Sequence, residues 1–246
     1  MEINEFLNEV CPIIKDRGWA YYFADSTAKL GQENGVDVLT LYFIGRGGVI
    51  GDVDAGMVIS AFGYFKPDLI RQVWNAGREI INPKKAAALY FECANVFGQE
   101  NFSGIDKMEE FAHAVEKVIE ASDPTALALY AGAKEMELTS NPYGRAMQVM
   151  SVLREFRGSA HLLAVRAMGL ETRVAHYLAR PGDFSLFGWG ENDVPEVSDH
   201  DFQLLRDAED LTDKIVAPAY SVLNDKERSD LLEGAKNIAD ALDGNK

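Results

Sequence analysis

Apolar side chains recur at three- and four-residue steps along nearly the whole chain, which is the spacing of one helix face. The first segment shows this pattern with Phe6, Val10 and Ile14. Glycine, proline and Asn-Pro or Asp-Pro pairs divide the pattern into segments that we predict to be helices. These predicted helices are 2–16, 19–30, 52–65, 68–81, 84–97, 106–121, 124–138, 143–168, 171–178 and 225–242.

Three further segments lack this simple pattern. Residues 36–44 are β-branched and aromatic, so on composition alone they fit a strand or a helix. Residues 45–51 lack the Gly-Lys-Ser/Thr of a phosphate-binding loop, and we interpret them as a glycine-rich connection between helices, anchored by Arg46. Residues 180–195 form a long turn-rich segment that we predict to be a hinge, and Ser198 with Asp201 matches a capping box.

The chain is strongly acidic, with a formal charge of −15 from 39 acidic and 24 basic side chains. Such a charge repels phosphate backbones and anionic lipids, so we expect neither nucleic acid nor a membrane as partner. Cys11 and Cys93 lie in helical apolar contexts without metal or disulfide spacing, and we interpret them as small buried side chains. The N-terminus lacks the basic start of a signal peptide, which predicts a cytoplasmic protein. The many apolar helix faces would also allow a homodimer.

One segment, 142–180, reverses the charge: it holds six arginines, no lysine and only two acids, Glu155 and Glu171. Arginine favours planar, bidentate contacts to carboxylate or phosphate groups. On the helix predicted here, Arg154, Arg157 and His161 form a stripe at the edge of a wholly apolar face. Charged side chains rarely lie on such a border without partners.

Three interpretations of this stripe remain open from the residues alone. The arginines pair with internal carboxylates, or extend to solvent, or line a pocket for an anionic small molecule with His161 beside it. Gly158 on the same helix fits the close approach of a backbone or a ligand. For the third interpretation, the predicted ligand-binding residues are Arg154, Arg157, Arg46, Tyr22 and Met150, with His161 as the catalytic candidate. The four histidines are too widely spaced for a metal motif, and we predict no metal and no cofactor.

Two stretches, 41–74 and 153–179, carry a resemblance to a known family. Their shared features are an aromatic-Phe-x-Gly-Arg stretch, a Gly-Asp-Val, a Pro-hydrophobic helix ending in Trp, and Leu-Arg-Glu-x-Arg-Gly-x-x-His. They correspond here to Tyr42, Phe43, Gly45 and Arg46; to Gly51, Asp52 and Val53; to Phe65, Pro67 and Trp74; and to Leu153, Arg154, Glu155, Arg157, Gly158 and His161. In these features the chain resembles a family of uncharacterised, all-helical actinobacterial proteins that carry a winged-helix-like helix-turn-helix.

The resemblance implies an all-α, multi-helix bundle in which 36–44 is helical and the C-terminal half is helix-turn-helix-like. It suggests an N-terminal helical domain, 1–140, and a helix-turn-helix-like domain, 141–246, or one continuous domain. Where the family pattern has room for a β-wing, this chain has a short acidic linker, 191–196, and one helix. We therefore expect the wing to be reduced or absent.

Three functions follow as hypotheses. The first is a small-molecule-binding protein on a helix-turn-helix-derived scaffold, whose anionic or aromatic ligand is held by the Arg-Arg-His stripe. The second is a cofactor-independent enzyme in which His161 is a general base or acid and Arg154 and Arg157 orient an acidic substrate. The third is a DNA-binding regulator, which the acidic charge and the expected loss of the wing disfavour.

Overall fold

The computed structural model describes residues 2–244, and within them every regular element is helical, which confirms the all-α prediction. Residues 2–244 form twelve α-helices. They are α1 (Ile3–Arg17), α2 (Asp25–Glu33), α3 (Val38–Gly48), α4 (Ala55–Phe62), α5 (Pro67–Ile80), α6 (Pro83–Phe102), α7 (Met108–Ala121), α8 (Ala128–Lys134), α9 (Pro142–Ala167), α10 (Thr172–Ala179), α11 (Asp199–Tyr220) and α12 (Asp225–Gly244). Two 3₁₀ helices, Pro181–Phe187 and Glu191–Asp193, lie between α10 and α11.

The glycine-rich residues that we interpreted as a connection are mostly helical, so that interpretation was wrong. Helix α3 runs from Val38 through Gly48, which also confirms the helical prediction for 36–44. It continues because α3 lies very close to α6: a Cβ on Gly45 would come 2.7 Å from that of Tyr90, and one on Gly48 would collide with the backbone of Pro83. Close packing between the helices therefore outweighs the poor helix propensity of glycine.

Several predicted helices are shorter than expected. The helix predicted at 19–30 begins only at Asp25, because the residues before it form turns that bury Tyr21 and Tyr22 in the core. The helix predicted at 124–138 is reduced to α8, preceded by Ala126 with a φ of 64°. The turn-rich segment predicted at 180–195 contains the two 3₁₀ helices. The capping box of Ser198 and Asp201 is confirmed at the start of α11.

Helix α9 is the central element and packs against α6, α7 and α11. Its N-terminus is capped as the Asn-Pro pair predicts: the Asn141 side chain accepts hydrogen bonds from the backbone of Tyr143 and Gly144. Three polar side chains of this helix are also buried, since Gln148, Ser151 and Glu155 are at most 6% exposed. Each of these three has hydrogen-bond partners on other helices or loops.

The helix-turn-helix is formed by the end of α9, a short turn and α10. Gly169 adopts a φ of 78°, its N–H donates to Arg166 O, and the N–H of Leu170 donates to Val165 O. These two hydrogen bonds form the Schellman motif, which ends a helix at a glycine. Val165 and Leu170 then join a small core with residues of α10 and α11.

The main hydrophobic core takes residues from α1 through α9 and from α11 and α12. It thus includes side chains from both sides of residue 141, and the division into two domains there stays a prediction, as does the reduction of the wing. Cys11 and Cys93 are both buried. Among residues 2–244, no helix is long and apolar enough to cross a membrane.

Candidate functional site

A cavity of about 230 Å³ lies between the middle of α9, the C-terminal parts of α3 and α4, α10 and the first 3₁₀ helix. Its charged lining is mostly cationic. The cations are Lys15, Arg46, Arg154, Arg157 and Arg180, and the anions are Glu155 and Glu209. The lining thus carries a net charge of +3 in a chain of −15. This contrast makes it the candidate site.

At one end of the cavity, two arginines share the carboxylate of Glu155. Arg46 binds it in a bidentate manner, with Nε 2.8 Å from Oε1 and Nη2 2.9 Å from Oε2, and Arg154 Nη1 lies 3.3 Å from Oε1. Tyr22 completes the cluster: its hydroxyl donates to Glu155 Oε1 and accepts from Arg154 Nη1. Burial alone would raise the pKa of Glu155, but the charge and hydrogen bonds of Arg46, then the charge of Arg154, hold it below its usual value. Glu155 is therefore ionised at neutral pH, and two guanidinium groups face one carboxylate.

Arg157 has a different environment, because α11 supplies acids to it. Its Nη2 lies 2.9 Å from Glu209 Oε2 and 3.0 Å from Asp213 Oδ1. The arginine stripe thus fits two of the three interpretations at once: both arginines pair with internal carboxylates, and both line the cavity. Their side chains are only 15–21% exposed, so they do not extend freely into solvent.

His161 is held in one tautomer by α11. Thr212 Oγ1 donates its proton to Ala208 O at 2.6 Å, so it can only accept from His161 Nδ1, at 3.1 Å. The other nitrogen, Nε2, lies 3.9 Å from Glu209 Oε1. Burial lowers the pKa of His161 and outweighs the opposing charge of Glu209. The ring is therefore neutral at pH 7, and Nε2 carries a free lone pair.

A row of six rings, which we call the aromatic wall, also lines the cavity. Its members are Phe62, Phe65, Phe187, His176, Tyr64 and His161. Successive ring centroids lie 5.6, 4.0, 3.8, 6.3 and 6.4 Å apart in that order. The guanidinium carbon of Arg46 lies 4.6 Å from the Phe62 ring centre, so a cation lies over the first ring of the row.

Three polar atoms of the lining are buried without a hydrogen-bond partner among residues 2–244: Tyr64 Oη, Arg154 Nε and His176 Nε2. His176 is only 6% exposed, and burial, then the charge of Arg180, lowers its pKa to about 4, so it is neutral at pH 7. Unpartnered buried polar atoms are uncommon in folded proteins. These three atoms belong to residues of the cavity lining, and their hydrogen-bonding capacity is unused by the residues that the structure describes.

The structure brings together only some of the side chains that the sequence suggested. Arg46, Arg154, Arg157 and His161 line the cavity, whereas Tyr22 lies behind the lining in the Glu155 cluster. Met150 is fully buried in the main core and does not line the cavity. Gly158 lies at the cavity edge, where a Cβ would meet nothing within 4 Å, so no backbone approaches it closely.

Sequence reasoning missed several lining residues. His176 and Arg180 fell within the arginine-rich segment that we singled out, so its charge pattern could have indicated them. Tyr64 adjoins Phe65, which belongs to the family pattern. For Lys15 and Glu209 no signal existed, because they reach the cavity from α1 and α11 through tertiary packing alone.

The second helix of the helix-turn-helix offers little free positive charge. Val174, Ala175 and His176 are buried, and Arg173 is engaged by Glu171 at 3.1 Å and by Asp193 O at 3.1 Å. Arg180, just beyond the helix, lines the cavity. An α10 of this kind presents few groups to a phosphate backbone.

Comparison with curated proteins found no match, and comparison with solved structures found none either. A family model described as a helix-turn-helix family matches residues 17–186, which is more than half of the chain. The matched region includes α9, the Gly169 turn and α10, together with all of the aromatic wall except Phe187. The chain therefore belongs to this helix-turn-helix family.

Proposed function

We propose that this protein binds a small organic anion in the cavity, on a helix-turn-helix scaffold that serves ligand binding. The observation that carries the proposal is that two largely buried guanidinium groups of the cavity lining, those of Arg46 and Arg154, share the single carboxylate of Glu155. Buried cations normally have matching anions, because an uncompensated charge in a low-dielectric site is costly. A bound anion would supply the missing negative charge.

Arg154 is the residue best placed to hold that anion. It shares the Glu155 carboxylate with Arg46, which has the closer, bidentate contact, and its Nε has no partner among residues 2–244. Arg157 contributes less free charge, since Glu209 and Asp213 both contact it. We therefore assign Arg154 the main anion contact and Arg157 and His161 the neighbouring positions.

Calorimetric titration with benzoate, acetate and inorganic phosphate tests the proposal. We expect at least one of these anions to bind, and Arg154→Gln to weaken its binding by about 10- to 100-fold, the worth of a hydrogen bond to a charged group. Arg145→Gln is the matched control, because Arg145 is also a salt-bridged arginine of α9 but contacts Glu116 away from the cavity. Failure of all three anions to bind, or an equal effect of the two variants, would overturn the proposal.

The enzyme hypothesis shares this site and is favoured by one observation, the free Nε2 lone pair of a neutral, oriented His161. Such a nitrogen can accept a proton from a bound acid or its neighbouring carbon. The tightest-binding acid can be incubated with the protein and followed by mass spectrometry. A product that His161→Ala abolishes while affinity persists would establish an enzyme, whereas the absence of any product would leave a binding protein.

Family membership favours DNA binding as the other candidate. A DNA-binding protein would bind a duplex at low salt, with affinity falling steeply as salt rises, because phosphate contacts release counterions. From the acidic charge and the occupied Arg173 of α10, we expect no binding even at low salt. Salt-dependent retardation of a duplex would contradict this expectation.

A further inference from the structure

The size of the cavity matches a single ring. Its volume is about 230 Å³. An engineered apolar cavity of about 150 Å³ in another protein holds benzene. The present cavity therefore has room for one six-membered ring with one or two small substituents, and a larger ligand such as a nucleotide would extend beyond it.

The aromatic wall favours a flat, aromatic ligand over an aliphatic one. Phe65, Phe187 and His176 form its tightest part, with centroids 4.0 and 3.8 Å apart, and Tyr64 and His161 extend it along α9. Rings gain from offset-stacked and edge-to-face contacts beyond the area that they bury. A saturated ring of the same size lacks that gain.

Arg46 and Arg154, the two guanidinium groups that share one carboxylate, lie near the Phe62 end of this wall. Arg46 is stacked over Phe62, the first ring of the row, and Arg154 shares its carboxylate partner. An aromatic acid lying against the wall would therefore direct its carboxylate toward Arg154 while its ring contacts the phenylalanines. A compact inorganic anion would bind Arg154 without contacting the aromatic wall.

The wall itself contains two polar atoms that a plain aromatic ring would leave unsatisfied. Tyr64 Oη and His176 Nε2 are buried without partners among the described residues, and their rings are neighbours at 6.3 Å. Both atoms are enclosed in the structure, so a ring hydroxyl would reach them after the Tyr64 or His176 side chain rotates toward the cavity. It would then accept a hydrogen bond from Tyr64 Oη or donate one to an unprotonated His176 Nε2. Satisfying such atoms favours the substituted ring over the unsubstituted one.

We infer that the ligand of this cavity is a monocyclic aromatic acid with a hydrogen-bonding ring substituent, its carboxylate at Arg154 and its ring against the aromatic wall. This inference rests on the proposed anion binding and narrows it to one chemical class. It assigns Tyr64 and His176 to ligand specificity, a role separate from the charge recognition by Arg154.

Four kinds of probe test the inference by calorimetry at pH 7: benzoate, cyclohexanecarboxylate, the three hydroxybenzoate isomers and inorganic phosphate. Benzoate is expected to bind about 2- to 10-fold more tightly than cyclohexanecarboxylate, which has the same charge and a saturated ring. At least one hydroxybenzoate should exceed benzoate by about 2- to 10-fold, the worth of a neutral hydrogen bond. Tyr64→Phe should remove or reduce that advantage, measured as the ratio of hydroxybenzoate to benzoate affinity within the same variant.

The outcomes separate this inference from the proposed function. Equal or tighter binding of cyclohexanecarboxylate or phosphate, still sensitive to Arg154→Gln, overturns the aromatic class and preserves an anion site. Binding of benzoate without any preferred hydroxybenzoate, or a preference that Tyr64→Phe leaves intact, overturns the role of Tyr64 and the ring substituent. Failure of every probe to bind overturns the proposed function itself.

Discussion

Glu155 is the acid on which the cationic end of the cavity depends, and Glu155→Gln tests that dependence without changing side-chain size. The carboxylate is 7% exposed and neutralises Arg46 and Arg154 together. Breaking a buried ion pair by removing one partner typically costs about 3–5 kcal/mol, because the remaining charge stays buried. We expect Glu155→Gln to lower the free energy of unfolding by that amount, a large part of the roughly 5–15 kcal/mol that holds a domain folded.

Urea denaturation at pH 7 measures this loss, and Glu116→Gln provides the matched control. Glu116 also binds an arginine of α9 through both oxygens, but that pair is 23–29% exposed and lies away from the cavity. A partly exposed pair contributes about 1 kcal/mol or less. A loss for Glu155→Gln no larger than that for Glu116→Gln would refute the inferred dependence of the two arginines on Glu155.

The pH dependence follows from the same carboxylate. The pKa of Glu155 is lower in the folded protein than its usual 4.5, so its contribution is complete above pH 4.5 and is lost as the pH falls below that value. Glu155→Gln removes the titrating group. Below pH 4.5 the stability of the variant should therefore fall less steeply than that of the wild type. Parallel pH-stability curves for the two proteins would contradict the stabilising role given to the Glu155 carboxylate.

Three further substitutions test other parts of the site. His176 has a pKa of about 4 instead of the usual 6.5, so the stability of the protein should fall as the pH drops from 6.5 to 4. His176→Phe should flatten that part of the pH-stability curve, and an unchanged slope would contradict this prediction. Gly158→Ala should raise stability to urea by about 0.5–1 kcal/mol, since the new methyl group meets open space in a helix, and a loss would mean that the glycine is required. Gly18→Ala should lower the melting temperature and reduce the free energy of unfolding by about 1–3 kcal/mol, because the new Cβ would lie 2.7 Å from Ile14 O and 2.8 Å from the Cβ of Arg154. A variant as stable as the wild type would show that the backbone shifts to make room for the methyl group.

Local sequence signals were sufficient for most helix starts and ends. The Asn-Pro pair at Asn141, the capping box at Ser198 and the glycine after α9 all act within a few residues, so their effect is visible in the sequence. The glycines of α3 were misinterpreted because their role is set by Tyr90 and Pro83, roughly forty residues further along the chain. Packing between distant segments outweighs local propensity at such positions.

The candidate site shows the same limit. The position of Arg154 and Arg157 at the border of an apolar helix face indicated that they needed partners, and the structure supplies them. The sequence could not identify Glu209 as one of those partners, nor show that Met150 turns into the core. These facts depend on how α11 packs against α9, which local periodicity does not encode.

A crystal structure of the protein grown with saturating benzoate tests the central claim most directly. We expect the ring to lie in the cavity against Phe187 and His176, and a carboxylate oxygen to lie about 2.7–2.9 Å from a guanidinium nitrogen of Arg154, the usual length of a charge-assisted hydrogen bond. Benzoate bound elsewhere, or a cavity without it at saturation, would contradict the account.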